Sequence, residues 1–294
     1  MASRHLNQKS NYHARSNSLP SRPHPLILQC NEHLCRLVAS DTTSSSPSSA
    51  LRSKLSCLQD LHECVEKLLL LPQTQQAISQ EHHDKWVEEL FDGSLQLLDA
   101  CTATKDAVIH TKECTRELQS NMRRRRGGDM GFEREVRKYL MSRKVVKKAV
   151  QKALKGMESK RADKNHENLA MVNTLREIEA ATLNVFESLL SYITGSKLRS
   201  KSSSWSLVSK LVLPKRVACD NEDTERSELE MVDSALYSIV RERRSKSDDM
   251  VNVENVQNLL LKLEPNVQDL EEGLELLFRR LIKTRVSLLN TFNH

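Results

Sequence analysis

Apolar residues recur along this chain every three or four positions, and almost never every second one. Leu51, Leu55, Leu58, Leu61, Val65, Leu68 and Leu69 make one such stripe, closed by Pro72. A helix brings positions three and four apart onto one face, so this spacing predicts a helix over about 50–71. The same reasoning predicts helices over about 25–39, 82–124, 130–158, 164–194, 205–212, 225–242 and 251–263, with a short turn near Thr74–Ile78. Pro265 starts a last helix, 265–292, because proline fits a first turn. There Val267, Leu270, Leu274, Leu277, Leu281 and Leu288 form the stripe. Leu276, Phe278, Ile282, Val286 and Leu289 are expected to widen it beyond a coiled-coil seam, into a bundle core.

Between these stripes lie polar runs. Residues 40–49, 195–204, 214–224 and 243–250 are expected to be loops, and Gly127–Gly128 a break. Residues 1–22 lack apolar periodicity and are expected to be a disordered basic tail. The chain is thus read as all-α: a bundle of long antiparallel helices over 23–294, preceded by that tail. Composition agrees. The 294 residues include only 7 glycines and 7 prolines, and aromatics make up 4%. Few breakers and few strand-formers favour long helices.

Charge sharpens the picture. From Arg123 to Arg161 there are 15 Lys/Arg against 4 Asp/Glu, a local charge of +11, so the remainder carries −5 of the overall +6. An electrostatic partner would meet this segment first. Within it Lys144, Lys148, Lys152 and Lys155 follow helical steps, with Arg143 and Lys147 alongside, while Val146, Val150, Leu154 and Met157 take another face. Such a basic amphipathic helix suits an anionic membrane surface, a calmodulin-like groove or phosphates. It equally suits a bundle helix with a solvated basic face. Nothing resembles a zinc finger or a stacking aromatic motif, which speaks against sequence-specific nucleic-acid binding.

The tail carries Arg15, Ser16, Ser18 and Pro20 in the order R-S-x-S-x-P. That spacing fits a 14-3-3-type phosphoserine adaptor, since a phosphate on Ser18 would offer charge and acceptors to an arginine cluster. A solvated linker is the plainer reading. The tail also loosely resembles an organellar transit peptide, and Arg123–Arg126 could serve nuclear import, though a helix end complemented by cations explains the latter.

Seven cysteines are an odd number with no C-x-x-C spacing, which suggests free thiols in a reducing, intracellular compartment, most simply the cytoplasm. Cys30, His33 and Cys35 form one local cluster and Cys57, His62 and Cys64 another. Neither has finger-like ligand spacing, so no metal or cofactor is expected. No apolar run reaches the ~18 residues of a membrane span. No nucleophile, base and orienting group can be assembled, and no enzymatic activity is expected.

Six blocks together carry a resemblance: RSNSLPSRPHP (15–25), LPQTQQAI (71–78), WVEELFDGSLQLLDAC (86–101), LQSNMRRRRGG (118–128), EIEAATLNVFESLLSYI (177–193) and DLEEGLELLFRRLIKTRVSLLNTF (269–292). In this order they resemble a plant-specific helical family grouped with the BYPASS-type proteins and long catalogued as a domain of unknown function. The resemblance implies a link to root and shoot development and supplies no catalytic residues. The chain is therefore expected to be a non-enzymatic regulator or scaffold acting through protein contacts, or else a peripheral membrane protein using the 134–161 helix.

Overall fold

The computed structural model describes residues 24–39, 46–80, 85–124, 129–159, 170–195, 227–241 and 246–292. Among them are eight α-helices: α1 (Pro25–Ala39), α2 (Pro47–Leu69), α3 (Pro72–Gln80), α4 (Lys85–Arg124), α5 (Asp129–Ser159), α6 (Ala170–Thr194), α7 (Glu228–Arg241) and α8 (Lys246–Phe292). No strand occurs among the described residues. The expected helix at 205–212 and loop at 214–224 lie outside them, as does the N-terminal tail. No described helix is long and apolar enough to cross a membrane.

Four helices make the core. α8 packs on α2 and α4, and α6 packs on the same two helices from the other side. The ring therefore runs α2, α8, α4, α6 and back to α2. The direction of each helix follows from its cross-links. Arg52 meets Asp269 and Arg280 meets Glu63, so α2 and α8 run the same way. Arg116 meets Glu264 and Arg285 meets Phe91, so α4 runs antiparallel to α8. Ser48 and Tyr192 share Glu228 while His62 meets Thr182, which makes α6 antiparallel to α2. Arg176 meets Glu89 and Glu179 covers Gly93, so α4 and α6 run together. The antiparallel expectation thus holds for half of the ring. α5 folds back antiparallel on α4, with Lys138 at Glu117 and Asn121 at Glu135. α1 leans on α2 and α6, α3 on α8 and α2, and α7 on α8, α5 and α6.

Two element boundaries differ from expectation. The serine-rich run 40–49 was expected to be loop, yet α2 begins within it. Ser46 caps the helix: its hydroxyl accepts from the Ser49 N–H, while the Ser49 hydroxyl receives the Ser46 N–H. Pro47 then takes the first helical position, where its missing N–H costs nothing.

The second difference is α8, a single helix through Pro265 where two were expected, and it also absorbs 246–250 of the expected 243–250 loop. Its buried residues are Val256, Leu260, Leu263, Val267, Leu270, Leu274, Leu277, Leu281, Thr284, Leu288 and Thr291, alternating four and three apart without a slip. This seam is narrow. Leu276, Ile282, Val286 and Leu289, expected to widen it, are exposed, and Phe278 is half-buried. Pro265 is tolerated because it and Leu261, whose carbonyl it leaves without an N–H, both face solvent.

Candidate functional site

α5 carries the basic residues singled out from the sequence. Nothing from Phe132 to Lys155 is glycine or proline, so the helix is uninterrupted. Val136, Tyr139, Leu140, Val146, Val150 and Met157 are buried and fix its inner face. The outer face follows by exclusion: Lys144, Lys148, Lys152 and Lys155 are exposed, as are Arg134 and Arg137. Between the lysines Met141 and Val145 stand 65% and 58% exposed. No Asp or Glu occurs from Val136 to Met157, so the face carries no acid of its own.

Those four lysines have no ion-pair partner among the described residues. Several cations elsewhere are paired across helices. Lys105 meets Glu275, Lys112 meets Glu271, Arg116 meets Glu264, Arg52 meets Asp269, and Arg280 spans Glu63 and Glu66. The contrast separates two uses of positive charge, one inside the bundle seams and one facing outward.

Arg143 is a correction. It was expected on the basic surface, but only 2% of it is exposed. It lies one turn from Tyr139 and two from Val136 and Val150, in phase with the apolar stripe, and so it points inward. Its Nε lies 3.2 Å from Asp233 Oδ1, and one Nη lies 3.2 Å from Asp233 Oδ2. That Nη also donates to the Ile193 carbonyl at 2.6 Å, capping the end of α6. Tyr139 donates its hydroxyl to Asp233 at 3.2 Å, and the half-buried Lys147 reaches the same carboxylate at 3.1 Å. Burial, then the adjacent Asp233 charge, pushes the Tyr139 hydroxyl pKa well up, so it stays a donor. The other Nη of Arg143 has no partner among the described residues. This network pins α5 to α6 and α7 and leaves the lysine face outward. Asp233 was missed in the sequence, although it sits one turn from Leu229 and Leu236 on a buried stripe.

The adaptor residues Arg15, Ser16, Ser18 and Pro20 lie outside the described residues. The two Cys/His clusters partly meet. Cys30 Sγ lies 3.0 Å from Cys64 Sγ, and Cys57 Sγ lies 3.4 Å from the His33 carbonyl. These contacts dock α1 on α2. No group of three metal-ligating side chains is assembled among the described residues.

A family model described as Protein BPS1 matches residues 54–291. The match takes in most of the chain, from α2 to the end of α8, and the chain belongs to this family. No curated protein and no solved structure matches it.

Proposed function

From membership of the Protein BPS1 family, we propose that the chain is a non-enzymatic regulator of plant development that works by docking an acidic protein partner onto the outer face of α5. One observation carries this reading. Lys144, Lys148, Lys152 and Lys155 stand exposed and without an ion-pair partner among the described residues, in a molecule that engages several other cations in seams. An unpaired ladder of one sign steers and orients an oppositely charged surface. The buried Arg143–Asp233 cluster beneath it supports the reading by holding the ladder rigid. The 14-3-3-type adaptor, recruited through Ser18, would act separately from this face.

Met141 and Val145 favour a second reading. Apolar side chains rising between lysines suit an interfacial helix on an anionic bilayer, with the lysine stems reaching up to the headgroups. One set of variants separates the two. Lys144→Gln, Lys148→Gln, Lys152→Gln and Lys155→Gln together should abolish capture of acidic proteins from plant extract by the purified chain. Met141→Ser with Val145→Ser should leave that capture intact. Loss of co-sedimentation with phosphatidylserine vesicles on the Met141/Val145 change, with protein capture unaffected by the lysine change, would overturn the protein-docking reading in favour of the bilayer.

A further inference from the structure

The four core helices converge on a cleft at the bundle axis. His62 and Leu69 come from α2, Leu97 from α4, Leu175 and Ile178 from α6, and Leu288 from α8. The cleft is a small one, of about 40 Å³, and is partly open to solvent. Its walls are apolar, and its polar groups are few.

His62 is the informative one, being 2% exposed. Its Nε2 lies 3.0 Å from Thr182 Oγ1, and that hydroxyl already donates its only proton to the Ile178 carbonyl at 2.7 Å. The shared contact therefore needs His62 Nε2 as the donor. In the neutral ring this leaves Nδ1 as a bare acceptor, and it is buried with no partner among the described residues. A buried acceptor left unmet is costly. Gly93 and Glu179 also line the cleft, and the Glu179 carboxylate packs so closely on Gly93 that a Cβ there would lie 2.6 Å from it. A carboxylate and a bare imidazole nitrogen both repel anions and both accept protons.

We propose that the bundle axis is a binding site for a small apolar molecule bearing one hydroxyl or N–H, which donates to His62 Nδ1 while the apolar body lies along the open, leucine-lined part of the cleft. Interiors of helix bundles are a usual place for such sites. The proposal is independent of the α5 face and does not require it.

para-Fluorophenol and para-fluorotoluene are matched in size and differ in the donor. Titrated into the full chain and followed by fluorine NMR, the phenol should saturate and bind about tenfold tighter than the toluene, the factor a single buried hydrogen bond supplies. His62→Phe keeps a ring in place and removes the acceptor, so the two probes should then bind equally. Leu90→Trp, at a half-buried position lining the cleft, should weaken both while helicity is retained. Equal affinities in the unmodified chain, or a phenol preference that survives His62→Phe, would overturn the proposal. So would the absence of saturable binding by either probe, which would leave His62 Nδ1 serving an ordered water only.

Discussion

Two side chains within the apolar interior decide how stability responds to change. Burial first, and the nearby Arg280 cation second, hold the His62 imidazole at a pKa of about 4. The unfolded chain would titrate this group near 6.5 and so binds more protons between the two values. The stability this neutral ring contributes is complete above about pH 6.5 and is lost as pH falls towards 4, amounting to about 2 kcal/mol by pH 5. Urea midpoints measured at pH 7 and pH 5 should show that loss, and the His62→Phe chain should show a smaller difference. Arg143 makes a different case. Asp233→Ala strands a buried guanidinium and should cost about 4 kcal/mol, whereas Arg143→Met combined with Asp233→Leu should cost far less, because no uncompensated charge remains. Chemical denaturation of the single and double variants measures this directly. Neither residue stood out in the sequence for its role. His62 was grouped with Cys57 and Cys64 by proximity in the chain, while its partner Thr182 lies on another helix. Arg143 was grouped with its lysine neighbours by charge, although its phase with Val136, Tyr139 and Val150 already placed it inside. Periodicity was the better guide than charge type, since one face of a helix is buried whatever its residues are.

At the scale of elements, most helices could be read from the chain because their stripes are long and their breakers few. α1, α4, α5 and α7 end close to where periodicity placed them. The failures came from reading a local signal over a longer one. Pro265 taken alone signals a start, whereas the four-and-three alternation runs unbroken from Val256 to Thr291 across it. An alternation kept in phase on both sides of a proline means one helix, since a break would reset the register. The proline still removes one hydrogen bond, at Leu261. Pro265→Ala should restore it and raise stability by about 1–3 kcal/mol, visible as a higher thermal midpoint with the helical content unchanged. Failure of the midpoint to rise would mean that the ring contributes packing not visible at this exposed position. Gly273 marks the other constraint on α8. A Cβ there would lie 3.1 Å from Leu55 Cδ1 and 3.4 Å from Leu55 Cβ, so α2 and α8 approach closely at this point. Gly273→Leu should force them apart and cost about 1–3 kcal/mol, despite the better helix propensity of leucine. The parallel course of α2 and α8 could not be read from the stripes, which carry spacing but no direction.

For the whole molecule, charge is divided by location. Cations on α4, and Arg52 and Arg280 at the edges of α2 and α8, are matched to carboxylates on neighbouring helices, and these pairs fix the register of α8 against both partners. On α5, Lys138 and Lys147 meet Glu117 and Asp233, whereas Lys144, Lys148, Lys152 and Lys155 are matched to nothing among the described residues. The segment-level excess of +11 was plain in the sequence, but its split into paired and unpaired cations was not, because it depends on which helices meet. This split predicts opposite behaviour for two sets of neutralising changes. Replacing Lys144, Lys148, Lys152 and Lys155 with glutamine breaks no pair among the described residues, so the thermal midpoint should stay within about 2 °C, as for ordinary surface substitutions. Retention on a heparin column should fall sharply, because the removed charges form one continuous face. Replacing Lys105, Lys112, Arg116 and Arg280 with glutamine removes as many charges but strands carboxylates in the seams. The midpoint should fall, and heparin retention should change little. If both sets lowered retention equally, net charge alone would govern polyanion binding, and the outer face of α5 would have no special part in it.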